Sequence, residues 1–509
     1  MNDVVWLSTD KDVPADSYWD QTLLKELLKD LKSHYKVGEL KEAIVIIPGA
    51  YLGKDIDKIN KEINKLNFCK IIITSDEENN FPIDELQHDN FEIFGTYLNN
   101  KYKSKIKWLP IGPASINHYV SKVQKVYDWF FAGQINHESR KVLASRLKFI
   151  NNGRLVETAG FAQGLDRQEY YAEISKAKVV PAPKGNISPD SFRLYEALEV
   201  GAVPIAENKE FWKSLFHSYP FPVLSNSWKG LQSEIMRISN DIQYRNEVFS
   251  WWQQEKLRIK DLIIGDDTNP TVIIPASPIF SHPSTKIIDE TIESIRTQLP
   301  KSRIVVTFDG IRKEQSDKRQ DYNEFISGFL SKYNNSNIYP MLFNEHTHQV
   351  GMAKAALENI KSDKIIYVEQ DTPFTDDFID WDLCSKTLSS GKLDLIRFHF
   401  EASIPEPHRH MMLDSDNANF IRTCQWSQRP HIATTAFYRR ILDGCFSKDA
   451  KSFIEDKMHG VCHNAYVENG LKGWYGYRLG IYNKGDNLKR SYHTDGRAGQ
   501  EKFDDSQVF

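Results

Sequence analysis

Short apolar runs alternate with helix-spaced apolar positions along the first hundred residues. Ala43–Pro48 and Phe68–Thr74 are mostly apolar runs of the length of a buried strand, and Asp55–Leu66 between them carries isoleucines at helical spacing. A strand over Val4–Ser8 and a helix over Trp19–His34 precede them. This alternation predicts a parallel sheet with crossover helices.

The same rhythm restarts twice further along the chain. An apolar strand ending at Gly133 is followed by a basic helix, and helices are predicted over Tyr170–Lys176, Asp190–Val200 and Ser233–Leu262. A polar hinge with breakers, Ile264–Pro270, then separates this stretch from a third one. The third stretch predicts strands over 271–275, 303–308, 338–342 and 364–369 and helices over 287–299, 322–333 and 351–360. We therefore expect domains over 1–115, 120–265 and 268–509.

The composition excludes several functional classes of protein. A chain of 509 residues suits about three domains, and a net charge of −4 gives no drive toward nucleic acid or anionic membranes. No apolar run approaches the roughly 20 residues of a membrane helix, and the N-terminus lacks the pattern of a signal peptide. The five cysteines show no C-x-x-C spacing, so reduced, mostly buried thiols are expected. We expect a cytoplasmic protein with no transmembrane segment and no nucleic-acid partner.

The most informative segment of the first half is Val179–Ile205. A buried strand ends there in a loop of Gly, Pro and Ser, and a helix follows whose free N–H groups suit a phosphate. Cations lie on both sides of the helix start, a capping side chain precedes it, and a glutamate one turn inside is placed for ribose hydroxyls. The candidate donor-binding residues of this corner are Lys184, Asp190, Ser191, Arg193 and Glu196. The structural alternative is a core helix whose Glu196 is merely solvated.

Together with Phe131–Gly133 and Arg140, this segment resembles the nucleotide-sugar-binding half of GT-B glycosyltransferases. It is most similar to the exostosin-like family, in which the strand, the loop, a Ser-x-Arg and a Glu-Ala-Leu-x-x-Gly-x-x-Pro-Ile stretch occur together. The resemblance covers residues 128–206, whereas the first 115 residues share only the α/β rhythm. It implies that Gly133 and Arg140 also border the donor.

The second half contains an apolar strand that delivers Glu369 and Asp371 at its carboxyl end, where open α/β sheets bind ligands. Arg303–Asp309 is another strand that ends in an acid. These features resemble the GT-A fold of family 2-like glycosyltransferases, which usually carry Asp-x-Asp at that place. The resemblance implies Mn²⁺ or Mg²⁺ on Asp371, and donor contacts for Glu369 and Asp309. Glutamate at position 369 departs from the usual pattern, and a strand-end acid could instead cap the next helix.

Two later motifs complete that resemblance. Glu455 and Asp456 resemble the acidic pair that supplies the base of inverting GT-A enzymes, which implies Asp456 as base and Glu455 as the next candidate. His493 resembles the late histidine of the metal site, and Arg497 is placed to hold phosphates. The basic, aromatic loop Pro405–His410 is a candidate acceptor wall. Solvated surface residues are the alternative for each of these positions.

The sequence therefore predicts a GT-B-type pair of Rossmann-like domains followed by a GT-A-type α/β domain. The resemblance implies a bifunctional transferase that uses nucleotide sugars as donors and a glycan as acceptor, in polysaccharide or surface-glycan synthesis. In the alternative, only one module is catalytic and the other is a degenerate carbohydrate- or nucleotide-binding platform. A nucleotidyltransferase is a weaker rival, because no Gly-rich phosphate loop with a lysine is present. Donor sugars, linkage, stereochemistry and oligomeric state stay open.

Overall fold

The computed structural model of the chain describes residues 3–7, 19–52, 55–88, 90–97, 105–116, 123–160, 164–185, 188–216, 218–265, 269–413 and 419–494. The chain divides into two compact units. The first comprises Met1–Gly265 and Leu330–Asn335, and the second comprises Asp266–Phe329 and Ser336–Phe509. Within the described ranges, no helix is both long enough and apolar enough to cross a membrane.

The first unit begins with a parallel sheet of six described strands in the order β2-β1-β3-β4-β5-β6. Its strands β3 and β4 are almost wholly buried, as expected for the centre of a sheet covered on both faces. The elements are β1 (Asp3–Trp6), α1 (Thr22–Leu27), β2 (Lys32–His34), β3 (Glu42–Pro48), α2 (Gly49–Leu52), α3 (Ile56–Ile63), β4 (Phe68–Thr74), β5 (Phe91–Gly95) and β6 (Ile106–Trp108).

A second parallel sheet follows in the same unit, with the order β11-β10-β9-β7-β8. Its elements are β7 (Tyr127–Gly133), α4 (Glu138–Leu147), β8 (Gly153–Glu157), α5 (Arg167–Ile174), β9 (Ala177–Ala182), α6 (Phe192–Glu199), β10 (Val203–Glu207), α7 (Lys209–Leu215), β11 (Val223–Leu224), α8 (Leu231–Ser239) and α9 (Ile242–Ile264). One apolar core joins residues of both sheets, from Ile44 and Ile72 to Phe131 and Val179. The two sheets of this unit therefore share their packing.

A buried ion pair ties the short segment Leu330–Asn335 into the first unit. The Nζ of Lys256 on α9 donates to Glu199 Oε1 at 2.9 Å and to Asn334 Oδ1 at 2.7 Å, and also to the Oδ1 of Asn335. Asn334 Nδ2 in turn donates to Glu199 Oε2 at 3.0 Å. Both charged side chains are only 4% exposed, so these amides satisfy a pair that water does not reach.

The second unit is built on a mixed sheet of nine described strands in the order β14-β13-β12-β15-β19-β16-β20-β18-β17. The first four are parallel, and β19 lies antiparallel between β15 and β16. The elements are β12 (Thr271–Ala276), α10 (Lys286–Gln298), β13 (Ile304–Phe308), α11 (Arg319–Lys332), β14 (Ile338–Leu342), α12 (His348–Glu358), β15 (Lys364–Tyr367), α13 (Trp381–Ser389), β16 (Leu395–Arg397), β17 (Met412–Leu413), β18 (Phe420–Thr423), β19 (His431–Thr434), α14 (Thr435–Cys445), α15 (Ile454–Asn469), α16 (Leu471–Trp474) and β20 (Leu479–Tyr482).

The α/β class expected from the sequence is confirmed, and four of the five cysteines are buried. Two helix predictions are wrong in extent. The predicted helix Trp19–His34 is cut short, because Lys32–His34 instead pairs with β1 as an edge strand. The predicted helix Ser233–Leu262 is two helices, since Asp241 caps the second one by accepting the N–H of Tyr244 at 2.9 Å.

Candidate functional site

In the first unit, the predicted donor-binding residues gather at the carboxyl ends of β7, β9 and β10. Gly133 ends β7, the loop that contains Lys184 follows β9, and α6 begins just after Ser191. Parallel strands direct their carboxyl ends to one edge of the sheet, so residues distant in sequence meet there. We call Arg140, Lys184, Asp190, Arg193, Glu196 and Glu207 the first-unit cluster.

Two guanidinium groups converge in this cluster. Arg193 Nη2 donates to the carbonyl of Ala132 at 2.7 Å, and its guanidinium lies 4.7 Å from the centre of the Phe131 ring. Arg140 Nη2 donates to the carbonyl of Lys184 at 2.9 Å. Burial and the neighbouring Arg193 charge lower the pKa of Arg140 to about 10. Among the described residues, no carboxylate forms an ion pair with either arginine, so the pair favours an anionic ligand.

Gly133 is fixed by the same arrangement. A Cβ atom at this position would lie 2.5 Å from Arg193 Nη2. Glycine at the end of β7 therefore leaves the space into which the arginine folds. The sequence singled out both residues, and the structure places them in contact.

The two acidic residues expected at the helix start are engaged within the fold. Glu196 Oε2 accepts a hydrogen bond from the hydroxyl of Tyr170 at 2.8 Å, and burial raises the pKa of Glu196. Asp190 accepts from the hydroxyl of Tyr195 at 2.7 Å and from the N–H of Ile111 at 3.3 Å. Ser191 occupies the N-cap position of α6 but makes no side-chain cap bond. The expected cap of Asp190 on α6 is thus replaced by contacts that join the two sheets.

Glu207 completes the first-unit cluster and was missed by sequence reasoning. It ends β10 and is 4% exposed. Its carboxylate accepts the N–H of Lys184 at 2.7 Å and the hydroxyl of Ser139 at 2.5 Å. Glu207 therefore fixes the start of the loop that carries Lys184. A glutamate at the end of a short apolar strand was the only signal that the sequence offered.

In the second unit, Asp371 and His493 are brought together through their main chains. The N–H of Thr494 donates to the carbonyl of Asp371 at 3.0 Å, and the N–H of Tyr492 donates to that of Pro373 at 3.1 Å. The segment that contains His493 thus runs along the segment that follows Asp371. Among the described residues, no group of three or more His, Cys, Asp or Glu is placed to hold a metal ion. Arg497 lies outside the described residues.

Glu369 is connected to the start of α15 by Gln349. Gln349 Nε2 donates to Glu369 Oε1 at 2.7 Å, and Gln349 Oε1 accepts the N–H of Ile454 at 3.4 Å. Burial, followed by the charge of Asp371, raises the pKa of Glu369. Gln349 was not recognised in the sequence, because its position as the second residue of α12 carries no distinctive pattern.

The acidic pair on α15 is split between the site and solvent. Glu455 is half-buried, and its Oε2 accepts the N–H of Gln428 at 3.1 Å. Its charge also raises the pKa of Glu369. Asp456 is exposed. Adjacent helical residues point about 100° apart, so only one of the two can face the site. Glu455 is the half-buried member of the pair, and Asp456, which the sequence favours as base, is the exposed one.

Two arginines that the sequence did not single out lie beside these acids. Arg429 lies over Phe400, with its guanidinium 3.8 Å from the ring centre. Burial lowers the pKa of Arg429, and the charges of Glu369, Glu455 and Asp371 oppose that shift. Arg397 is only 2% exposed, and its Nη2 donates to Gln425 Oε1 at 3.2 Å. We call Glu369, Asp371, Arg397, Arg429 and Glu455 the second-unit cluster.

The sheet order explains why these arginines arrive at the site. Tyr367 pairs with His431 on β19, and His431 also pairs with Arg397 on β16. Residues that precede His431 therefore lie level with those that follow Tyr367. A buried strand preceded by Gln-Arg-Pro could have suggested Arg429, but only with the antiparallel pairing already known.

The carboxylate of Asp309 is occupied by hydrogen bonds from main-chain N–H groups. Its carboxylate accepts the N–H groups of Gly310 at 2.8 Å, Thr347 at 2.6 Å and His348 at 3.1 Å. His346 Nδ1 lies 2.8 Å from Asp309 Oδ2. The residue thus holds the start of α12 against the end of β13. These contacts occupy the acceptor oxygens that the expected donor contact would need.

The loop expected to form an acceptor wall contains a 3-10 helix over Glu406–Met411. The charge of His408 acts on His399, which follows β16. Burial and the charges of Arg397 and Arg429 lower the pKa of His399 to about 3, so this imidazole is neutral at ordinary pH. The loop therefore borders the second-unit cluster.

No protein-family model and no curated protein matches the chain. Among solved structures, S. aureus TarS 1-349 in complex with UDP-GlcNAc is 16% identical over 47% of this chain and 61% of that chain, with a TM-score of 0.29. The mannosyltransferase PcManGT from Pyrobaculum calidifontis, in complex with GDP-Man and Mn²⁺, is 13% identical over 47% of this chain and 62% of that one, with a TM-score of 0.28. HddC from Yersinia pseudotuberculosis is 17% identical over 37% of this chain and 84% of that chain, with a TM-score of 0.23.

These matches are partial and distant. The chain spans 60% of the length of the TarS 1-349 structure. With TM-scores below 0.3, the likeness carries no argument about activity. The function is therefore argued from the chemistry of the two clusters.

Proposed function

We propose that the second unit transfers a sugar from a nucleotide-sugar donor to a hydroxyl group of a glycan acceptor. The observation that carries this proposal is the position of Glu455. Its carboxylate is held by the N–H of Gln428 and acts on Glu369, at the sheet edge where Asp371 and Arg429 also lie. A carboxylate beside a cation at the carboxyl ends of parallel strands suits base-assisted displacement of a diphosphate.

The proposed reaction uses Glu455 as general base. Glu455 takes the proton of the acceptor hydroxyl while the oxygen forms a bond to the anomeric carbon of the donor sugar. The bond between that carbon and the diphosphate oxygen breaks, and its electron pair leaves with the nucleoside diphosphate. One displacement of this kind inverts the anomeric configuration. Gln349 holds Glu369 and the start of α15 in register, so Glu455 keeps its place relative to the donor.

A divalent cation fits this cluster only with help from the donor. Asp371 and His493 supply a carboxylate and an imidazole, ligand types that Mn²⁺ accepts, but the described residues form no group of three ligands. In our proposal Asp371 and His493 would hold Mn²⁺ or Mg²⁺ next to the donor. When bound, the cation neutralises charge on the departing diphosphate.

For the first unit we propose binding of a second nucleotide sugar, which would make the chain bifunctional in polysaccharide or surface-glycan synthesis. Support comes from Arg140 and Arg193, whose side chains donate to main-chain carbonyls. With Lys184 they offer positive charge at the carboxyl ends of β7 and β9.

A specific observation favours the alternative, in which the first unit is a binding platform. Glu196 and Asp190 are buried and already accept hydrogen bonds from Tyr170 and Tyr195, so less of each carboxylate is left for a ribose or an acceptor. In that case the first unit would bind a nucleotide or a carbohydrate without transferring it.

A donor screen of the full chain tests both proposals. Nucleotide release would be measured for a panel of uridine and guanosine diphosphate sugars, with glycan acceptors and with Mn²⁺. Asp371→Asn should abolish transfer from the donor of the second unit, and the exposed residue Asp382 provides the matched control Asp382→Asn. Arg193→Ala should abolish binding of a different donor, with Arg237→Ala as its control. A chain that releases nucleotide from no donor would contradict the transferase proposal.

A further inference from the structure

The guanidinium of Arg429 has donors that nothing in the described chain uses. It lies over the Phe400 ring, 3.8 Å from the ring centre, and the described residues form no side-chain hydrogen bond or ion pair with it. Stacking on a ring leaves the edges of a guanidinium open, and those edges carry its five N–H donors. Arg429 is only partly buried, so its unused donors are accessible to an acceptor from outside the protein.

The position of Arg429 is set by its main chain. Its carbonyl accepts a hydrogen bond from His431 Nδ1 at 2.7 Å, and the carbonyl of Pro430 accepts the N–H of Phe398 at 2.8 Å. The preceding residue, Gln428, donates its N–H to Glu455. These bonds fix the backbone from which the side chain projects, and the Phe400 ring lies under the guanidinium, so less entropy is lost when a ligand binds.

The charge of Arg429 identifies the charge of the ligand that it can bind. Glu369, Glu455 and Asp371 act on the guanidinium through their charges. The planar fork of arginine matches the paired oxygens of a phosphate. We propose that Arg429 binds the diphosphate of the donor and stabilises its charge as it leaves the sugar. This inference rests on the proposed function of the second unit.

Pyrophosphate separates this role from that of a metal ion. Binding would be measured by calorimetry in chelator-treated, metal-free buffer, with pyrophosphate, UDP and uridine as probes. Every protein would carry Arg193→Ala, so that the first-unit cluster contributes little. Arg429→Ala should weaken pyrophosphate and UDP by the same factor, about 10–100-fold, and leave any uridine affinity unchanged. Arg429→Lys should recover part of the loss, because it keeps the charge but not the fork.

Arg440→Ala is the matched control, since Arg440 also lies over an aromatic ring, at 5.2 Å from Phe437, and is 55% exposed. It should bind pyrophosphate as the parent does. In the transfer assay, Arg429→Ala should lower kcat by about 10²–10³-fold. Thermal unfolding of all variants shows whether any loss reflects misfolding, and Arg429→Lys keeps the test decisive if the alanine variant is unfolded.

The outcomes of this test are distinct. Unchanged affinity for pyrophosphate in a folded Arg429 variant, with a parent that transfers sugar, overturns this inference alone. A parent that releases nucleotide from no donor overturns the proposed function and this inference with it. Equal losses for UDP and uridine place Arg429 at the nucleoside and also overturn it.

Discussion

Asp190 is a carboxyl group at a position where a charge is costly. Burial raises its pKa from 3.8 to about 7, although Tyr195 and the N–H of Ile111 donate to it. A raised pKa means that the folded state favours the protonated form. The associated stability is present below about pH 4 and is lost as the pH rises toward 7.

We expect Asp190→Asn to remove that loss. Three pKa units correspond to about 4 kcal/mol. The difference in the free energy of unfolding, variant minus parent, should therefore increase by up to about 4 kcal/mol between pH 4 and pH 8. Denaturant titrations at several pH values measure the difference, with the exposed residue Asp57 giving the control Asp57→Asn. Parallel curves for parent and Asp190→Asn would contradict the prediction.

We expect opposite effects from substitution of the two acidic residues of α15. Glu455→Gln should reduce kcat by about 10²–10⁴-fold while donor affinity is kept, because only proton transfer to the base is lost. Asp456→Asn should stay within about twofold of the parent, because Asp456 faces solvent. Steady-state kinetics with separate donor-binding measurements test both. The reverse pattern would return the role of base to Asp456.

At the residue scale, the acidic residues of the second-unit cluster could be predicted from the sequence, whereas its arginines could not. Glu369 and Asp371 follow an apolar strand directly, so their place at a sheet edge could be inferred locally. Arg429 reaches the same edge only because β19 lies antiparallel to β15. That pairing depends on contacts between distant segments, which no local pattern encodes.

At the scale of elements, Asp309 connects the end of β13 to the start of α12. Charge-assisted hydrogen bonds to unpaired N–H groups at a helix start stabilise that start. Asp309→Ala should therefore lower the free energy of unfolding of the second unit by about 2–3 kcal/mol. Calorimetry compared with Asp321→Ala, an exposed acid, tests this. Unaltered unfolding together with lost donor binding would instead support the contact expected from the sequence.

The strands that could not be predicted from the sequence have no apolar periodicity of their own. Pairing with neighbouring strands stabilises them. Lys32–His34 has no alternating apolar residues, and it forms a strand because its main chain pairs with β1 and His34 Nε2 lies 2.8 Å from Asp3 Oδ1. Strand β16 has three residues, which is too short for any periodicity to show. The long helices α10 and α11 were found within a few residues, since their apolar faces extend over several turns.

At the scale of the whole molecule, the first unit is not a continuous stretch of chain. Leu330–Asn335 belongs to it, and Asn334 and Asn335 accept from the buried Lys256. The composition near Gly265 predicts a hinge there, but no sequence pattern predicts this return of the chain, because nothing in an Asn-Asn pair indicates a distant buried ion pair.

We expect a fragment ending at residue 265 to be less stable than the first unit of the full chain. Removing the two amides leaves Lys256 and Glu199 short of hydrogen-bond partners, at a cost of about 1–3 kcal/mol for each unsatisfied group. The full chain with Asn334→Ala and Asn335→Ala should show the same loss. Differential scanning calorimetry of fragment, variant and parent measures it, with Asn240→Ala as an exposed control. A fragment as stable as the parent unit would contradict this.

The asparagine segment also imposes an order on biosynthesis. Translation delivers Lys256 and Glu199 well before Asn334, so on the ribosome the first unit emerges with a charged pair whose amides are still untranslated. Its last folding step must wait until residue 335 has left the exit tunnel, by which time the first strands of the second unit have been made. A premature stop in that interval would release a nascent chain with an incompletely satisfied core, the kind of product that chaperones and proteases remove.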